Sequence, residues 1–503
     1  MITTRPTTSA TRACHGLPLT LLLLLVGLSA AVAGAAWAAS SAAAANASPA
    51  ATTAVATPAA ATPTTQAELL AGSHTVWQDG WLLVDLKGSP YQIGYQRGYL
   101  TGKLAAQWLR SYLGPKGSRE RTIMRRIAVK YVWPHVPTEY RQEMQGNVAG
   151  MRAHGYTVDL WDVVAANAWS DMSVYWSLAT RSANVAPSTV GRCSAFIATG
   201  DATADGKIVM GHNTWSNYHE DFMYNVIFDV KPAKGHEFRY QGAGASIWSG
   251  EDWYVNDSGL MVCETSLDDA AAGRPGGVPV FVRIRHAIQY DTSVSGVIHT
   301  LLTRNNGGYP NEWLIGDAKT GEIASLQLGC RVSDLKRTSN GFYGSSNWPT
   351  GTKIRREAHA PKPSLDDSDY ARYVRWGELA QLEHGKIDAA VGEAMLADHW
   401  DTLLQRDAPS SRTICGHCEA ETHDKDEVDD AGAYDGKVIT SDMALDGMQF
   451  EARWGHPCGA GFDADAFMLQ NTWWLDQATP FDVTGLLTFA KDTPNPWTLV
   501  GSF

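Results

Sequence analysis

The hydrophobic rhythm of this chain changes near Pro187, and that change constrains the fold more than any other feature. From Leu69 to about Met172 the spacing predicts helices across Tyr91–Leu113, Glu139–His154 and Leu160–Trp169. One short strand, Trp81–Leu86, precedes them and ends at Gly88-Ser89-Pro90. Gly94, Gly98 and Gly102 recur every fourth residue, which places them on one helix face for close packing. After Pro187 strands dominate. They are predicted over Ser194–Thr199 and Lys207–Met210, joined at Asp205-Gly206, and over Val226–Val230, Trp253–Val255 and Leu260–Glu264. Helices return at Val280–Gln289, Ser295–Arg304 and 370–404. A hairpin is expected over Trp313–Asp317 and Glu322–Leu328, and a late strand pair over Val438–Asp442 and Gln449–Trp454. Helices, then many antiparallel strands, then helices and strands again specify an α+β layered domain.

The first residues are expected to lie outside that domain. Arg5 and Arg12 precede the short leucine-rich run Leu17–Val26, and Ala36-Trp37-Ala38 fits a small-x-small cleavage site. Residues 1–38 therefore read as a secretory signal peptide, with an uncleaved membrane anchor as the alternative. Residues 39–68 are an Ala/Thr/Pro spacer without the large apolar groups that offset chain entropy. Losing Arg5 and Arg12 takes the formal charge of the 503-residue chain from −12 to −14. An acidic exported chain has little reason to bind nucleic acid or an anionic membrane, so neither partner nor a stable membrane anchor is expected. The compartment would be secreted or periplasmic, or lysosomal in a eukaryote.

The chain lacks a Gly-x-Ser-x-Gly elbow in a strand-turn-helix setting, a phosphate-cradling glycine loop and a His-Glu-x-x-His motif. Six cysteines remain after Cys14 leaves with the signal peptide. Cys415-Gly416-His417-Cys418 has the spacing of a disulfide-exchange motif, without the preceding strand such motifs need. A zinc site there would recruit Cys415, Cys418, His423 or His456, and Cys458. A structural disulfide among Cys415, Cys418 and Cys458 is the expected use in an oxidising compartment. Cys193 is quieter and better placed. It heads a strand whose hairpin partner ends in Gly211-His212-Asn213-Thr214-Trp215, so His212 and Asn213 are expected beside it. A thiol next to a base ionises readily and becomes a nucleophile, and a buried core cysteine is the alternative.

Several short motifs share an order along the chain. They are Gly88-Ser89-Pro90-Tyr91 through Gly94, Gln96 and Gly98; Pro137-x-Glu139-Tyr140 through Gly146, Gly150 and Gly155 to Asn167; and Cys193-Ser194-Ala195 followed by Gly211–Trp215. Gly308–Trp313, Gly321-Glu322-Ile323 and Gly344-Ser345-Ser346-Asn347-Trp348-Pro349 complete the set. In these the sequence resembles the cysteine N-terminal-nucleophile hydrolases, specifically the acyl-coenzyme A:6-aminopenicillanate acyltransferase-like peptidases and the phospholipase B-like proteins. The resemblance implies a four-layer αββα fold and a precursor that cuts itself before Cys193. It divides the chain into an N-terminal mainly helical segment, 69–192, released by the cut, and a nucleophile-bearing segment, 193–503. It also implies that Asn347 is the oxyanion-hole asparagine and Asn256 a second site asparagine, although Asn256 equally suits a turn before Gly259. Relatives carry an aspartate after the return-strand glycine that orients the α-amine, and here no acid stands before Glu220. A helix arginine from the Asp369–Arg375 stretch joins the site in relatives, while the pattern here reads as a solvated helix face.

The expected activity is an exported, self-processing cysteine hydrolase. It would cleave an amide or ester of a small or lipid-like acyl substrate through an acyl-thioester on Cys193, with no metal or organic cofactor. Its two chains, cut from one precursor, would stay together. The competing readings are a non-catalytic binding or lipid-carrying protein on the same fold, and a thiol-disulfide protein using Cys415 and Cys418.

Overall fold

In the computed structural model, which describes residues 65–180, 192–267, 276–421, 429–491 and 493–501, the strand Arg192–Gly200 shows how the layers are built. Ala195 and Ile197 belong to one apolar core, Phe196 and Ala198 to another, because successive side chains leave a strand on opposite faces. Its partner Gly206–Asn217 divides in the same way, Ile208 and Met210 against Val209. A sheet that is apolar on both faces must be covered on both. The helices Ser368–Leu382 and Ala389–Leu396 cover one face, with Trp376, Leu379 and Leu396 in the cluster around Phe196. A second sheet packs on the other.

The first sheet runs from Gly341–Ser345 through Arg192–Gly200, Gly206–Asn217, Asp435–Thr440 and Phe450–Trp454 to Thr498–Val500, with Ala431–Ala433 also pairing to Gly206–Asn217. The second has nine strands. It begins His74–Gln78, Trp81–Gly88, Val226–Pro232, Phe238–Gly242 and continues Trp253–Asn256, Leu260–Ser266, Asn311–Asp317, Glu322–Leu328, Ser333–Thr338. Trp81–Gly88 lies parallel to Val226–Pro232, from Leu82 opposite Val226 to Gly88 opposite Pro232. The helices Pro90–Leu100, Val280–Tyr290 and Val294–Leu302 pack on this sheet. The layers are thus helices, sheet, sheet, helices: the four-layer αββα fold, α+β in class.

The helix expected across Tyr91–Leu113 is two, Pro90–Leu100 and Gly102–Leu113. They break at Thr101, whose hydroxyl reaches the Gly244 carbonyl at 2.7 Å. Gly94 and Gly98 do meet a partner. A Cβ on them would stand 1.8 and 2.0 Å from the main-chain oxygens of Glu143 and Asn147 in the helix Thr138–Ala153. Gly146 and Gly150 return the contact against Tyr91 and Tyr95. Gly102 stands outside this crossing, against the Tyr156 ring. The strand Phe238–Gly242 was not foreseen because Gln241 and Gly242 break its apolar pattern. The expected signal peptide, most of the 39–68 spacer and the residues just before Arg192 lie outside the described residues. The last of the spacer starts a helix, Gln66–Leu70, through a capping box between Thr65 and Glu68. Among the described residues no helix is long and apolar enough to cross a membrane.

Candidate active site

The hairpin that carries Cys193 contains one irregularity, and it decides which side chains face the thiol. Gly200 pairs with Gly206, but Ala198 pairs with Val209, so a bulge shifts the register by one residue. Beyond it Cys193 stands opposite Thr214 and Ser194 opposite Asn213. His212 therefore shares the face of Cys193, toward the second sheet. Asn213 points the other way, its amide donating to the carbonyls of Leu396 (2.8 Å) and Ile414 (3.2 Å). Of the two residues expected beside Cys193, the structure brings His212 to it and sends Asn213 into the helical layer.

The main chain of Cys193 is held at both ends. Its N–H donates to Asn347 Oδ1 at 3.0 Å, and its carbonyl accepts from Arg372 Nη1 at 2.6 Å. The same guanidinium donates to Ser194 Oγ, Asn347 Oδ1 and Asp369 Oδ1, and lies 4.5 Å from the centre of the Trp215 ring. Arg372 is fully buried, which corrects the expectation of a solvated face on its helix; Arg375, one turn on, pairs with Asp398 and Glu378 instead. Asn347 is present as expected: its Oδ1 accepts from the Cys193 N–H, and its Nδ2 donates to Ser266 O at 2.8 Å. It holds this pose at φ +70°, in the left-handed region that asparagine tolerates better than most side chains.

Where the return strand has no acid near Cys193, the approach to the second sheet brings one. Cys193 Sγ, a ring nitrogen of His212 and a carboxyl oxygen of Asp252 all lie within 4.8 Å of one another. Asp252, at φ +64° just ahead of the strand Trp253–Asn256, is within hydrogen-bond reach of the Glu264 carboxyl. Asp252 Oδ1 and Glu264 Oε2 are buried without a donor among the described residues, and one proton shared between the two carboxyls satisfies both. Burial pushes Glu264 up to about 7, and burial with the neighbouring Glu264 pushes Asp252 well above the usual carboxylate range. Tyr309 donates to Glu264 Oε1 at 2.7 Å. His212 is driven the other way, well below its ordinary value, by burial and the charge of Lys437. Its Nε2 meets the Glu264 carbonyl at 2.9 Å, so Nε2 carries the hydrogen and Nδ1 is left as a buried acceptor. Burial, with Glu264 nearby, holds the Cys193 thiol protonated. Lys437 balances this acidic pocket, donating to Thr214 Oγ1, Gln241 Oε1 and Asp435 Oδ1.

Asn256 is consumed elsewhere. Its Oδ1 accepts from Ser258 and Leu260, and its Nδ2 donates to Ile288 O and Asp291 O, the work of a turn residue tied to a helix end. Sequence reasoning missed Asp252, Glu264 and Lys437. The signal available was the pair Glu251-Asp252 entering the apolar run Trp253-Tyr254-Val255. In the structure Cys415 and Cys458 are both free thiols, so the disulfide expected among Cys415, Cys418 and Cys458 is not formed there. Cys418 turns into an apolar cluster with Trp215 and Ala433, and His423 lies outside the described residues.

Comparison with known proteins places these residues in context. The Phospholipase B family model matches residues 133–329, a stretch that includes Cys193, His212, Asp252 and Glu264. An uncharacterized protein of Archaeoglobus fulgidus is 27% identical over 263 residues, covering 50% of this chain and 43% of that one. The putative phospholipase B-like 2 of Homo sapiens is 26% identical over 159 residues, covering 28% of this chain and 26% of its own. Phospholipase B-like protein C of Dictyostelium discoideum is 28% identical over 137 residues, covering 25% and 24%. The chain thus spans less than half the length of the curated relatives it matches. A solved conjugated bile acid hydrolase mutant from Clostridium perfringens aligns over 52% of this chain and 89% of its own at 13% identity and a TM-score of 0.32, a likeness too slight to carry an argument. The resemblance read from the sequence over roughly residues 77–350 is borne out for residues 133–329, which match the Phospholipase B family model and contain the Cys193 hairpin.

Proposed function

We propose that this chain is an exported cysteine hydrolase of the N-terminal-nucleophile kind. It cuts its own Arg192–Cys193 bond and then hydrolyses an amide or ester of a small or lipid-like acyl substrate. One observation carries the reading: the nitrogen and carbonyl of Cys193 are each gripped by a buried side chain, Asn347 and Arg372, while its thiol stands beside an acid pair. That arrangement suits a peptide bond about to be broken on the nitrogen side of Cys193.

In the first step Cys193 Sγ attacks the Arg192 carbonyl carbon. The thiol proton passes to the Asp252–Glu264 pair, which holds one proton between two carboxyls and has its basicity near working pH. His212, held neutral by burial and with no partner on Nδ1 among the described residues, adds no charge beside the thiol. The C–N bond breaks, the nitrogen held by Asn347 takes the proton, and a thioester links the two segments. Water hydrolyses it, leaving Arg192 as a carboxylate and Cys193 with a free α-amine. An α-amine has a pKa of about 8, so it takes over as the base for the acyl substrate without a triad. Cys193 is 3% exposed in the uncut chain, which keeps substrates from the thiol until the bond has gone.

The test is the intact mass of the purified protein. Two fragments meeting at Arg192/Cys193, and one uncut chain from Cys193→Ala, are expected. A wild-type chain that stays whole would leave a non-catalytic binding protein as the better reading. A Cys193→Ala chain still cut at that bond would assign the cut to another protease.

A further inference from the structure

The Cys-Gly-His-Cys run is not used by this chemistry, yet the fold builds something around it. His399 follows the helix Ala389–Leu396, Cys415 and His417 lie in the turn before Cys418–Ala420, and Cys458 follows the strand Phe450–Trp454. These three separate segments converge, so that Nε2 of His399 and of His417 and the sulfurs of Cys415 and Cys458 all lie within 4.8 Å of one another. The individual separations are His399 Nε2 to His417 Nε2 3.2 Å, Cys415 Sγ to His417 Nε2 3.4 Å, and Cys458 Sγ to His417 Nε2 3.6 Å. A tetrahedral zinc ion with Zn–N of about 2.0–2.1 Å and Zn–S of about 2.3 Å requires edges of about 3.3–3.8 Å between its ligands. We infer that His399, Cys415, His417 and Cys458 form a structural zinc site.

The surroundings fit that use. His417 Nδ1 meets Glu419 Oε1 at 2.7 Å, so Nδ1 carries the hydrogen and Nε2 presents its lone pair to the cluster. A carboxylate on the far nitrogen of a ligand histidine is the usual outer partner of a zinc-bound imidazole. Without an ion, His417 Nε2 is a single acceptor approached by two sulfurs and a second ring nitrogen, more neighbours than one lone pair serves. Two thiolates and two neutral imidazoles around a dication sum to zero charge, which suits a place where Cys415 and His417 are buried. The ligand turns are held by the main chain: Cys415 N–H donates to Asp398 O at 3.0 Å and Ala433 N–H to Gly416 O at 3.0 Å. The donor set selects zinc over magnesium or calcium, since two sulfurs and two imidazoles are a poor set for either hard cation. The residues differ from those the motif suggests: Cys418 is replaced by His417 of the same run, and His399 joins from 16 residues upstream of Cys415.

The site also touches the catalytic layer. Between two of its ligands, Gly416 packs so closely that a Cβ would fall 2.1 Å from the Trp215 ring, and Trp215 is the aromatic partner of Arg372. The ion would clamp the turn on which the Arg372–Cys193 contact leans.

The experiment uses the full chain purified without chelators, with zinc measured against protein by elemental mass spectrometry. One zinc per chain is expected, retained in Cys418→Ser and lost in Cys415→Ser and Cys458→Ser. Should those two variants fail to fold, the wild-type chain is reduced, stripped and titrated with cobalt(II). The intense visible bands of a tetrahedral cobalt thiolate are then expected, saturating at one equivalent. A reduced wild-type chain that gives no such bands overturns the proposal. So does a Cys415–Cys458 disulfide in the freshly purified protein.

Discussion

Replacing Arg372 by methionine tests the way the site is held. Methionine keeps much of the volume over Trp215 but removes every donor. Three buried acceptors lose a charged partner: Cys193 O, Ser194 Oγ and Asn347 Oδ1. Asn347 Oδ1 keeps the Cys193 N–H and Ser194 is itself a hydroxyl, so the stranded group is the Cys193 carbonyl, at about 1–3 kcal/mol. Asp369 is 19% exposed and rehydrates, so its loss adds little. With the charge-assisted bonds gone, the whole substitution should destabilise by about 3–5 kcal/mol. Lysine at the same position reaches one acceptor and should recover roughly half of that. The assay is the urea unfolding midpoint of uncut protein, in a Cys193→Ala background so that processing does not confuse the curves. Alongside it, the rate at which newly made chain converts to two fragments is followed with Cys193 intact. Conversion should slow sharply in Arg372→Met. A midpoint and a conversion rate both unchanged in Arg372→Met would refute the reasoning, since no buried carbonyl would then depend on that guanidinium.

Three other outcomes are expected. Burial pushes Glu251 up to about 8, against about 4.5 in an unfolded chain, so the folded state holds the extra proton between those values. Stability from this group is full below pH 4.5 and lost as pH rises toward 8, so the urea midpoint should fall from pH 5 to pH 8. Glu251→Gln should flatten that slope, and a wild-type midpoint that rises over the window would contradict the argument. Asn347→Asp keeps an acceptor for the Cys193 nitrogen and should retain the larger part of the cleavage rate, whereas Asn347→Leu, stranding that N–H, should lose about 10–10²-fold. Equal losses in the two variants, by kinetics of fragment formation, would instead point to the amide donor. Gly98→Ala should lower the thermal midpoint by an amount matching about 1–3 kcal/mol of overpacking, because its Cβ meets main chain at 2.0 Å. Gly102→Ala, against the movable Tyr156 ring, should lower it less.

The layer order and the Cys193 hairpin were legible in the sequence because both rest on local signals: the period of apolar residues and the Asp205-Gly206 turn. The face each hairpin residue takes was not. A bulge-free hairpin closing on Gly200 and Gly206 would set Asn213 opposite Cys193. The extra residue on the return strand, between Gly206 and Val209, moves Thr214 there, turns Asn213 away and brings His212 to the thiol's side. Asp252 and Glu264 were hidden for a different reason. They reach Cys193 across the space between two sheets, and no spacing along the chain encodes that approach. Arg372 was misjudged because a helix with arginines and aspartates in its first turns has the same pattern whether it faces water or a buried carbonyl. Asn256 illustrates the reverse case, where the turn chemistry visible in Asn256-Asp257-Ser258-Gly259 was the whole story.

The parallel pairing of Trp81–Gly88 with Val226–Pro232 has a consequence for the life of the molecule. These strands lie on either side of the proposed cut, and the buried Arg97–Glu143–Arg285 ion network spans it as well. Cleavage would therefore leave two polypeptides that complete each other's sheet. Neither would hold the full instructions for its own fold. A denatured uncut chain refolds as one molecule, at a rate indifferent to dilution. A denatured processed pair must first meet, so its recovery becomes bimolecular and its yield falls with concentration. In dilute solution that meeting is rare, and the working lifetime of the processed protein would be set by how slowly it unfolds.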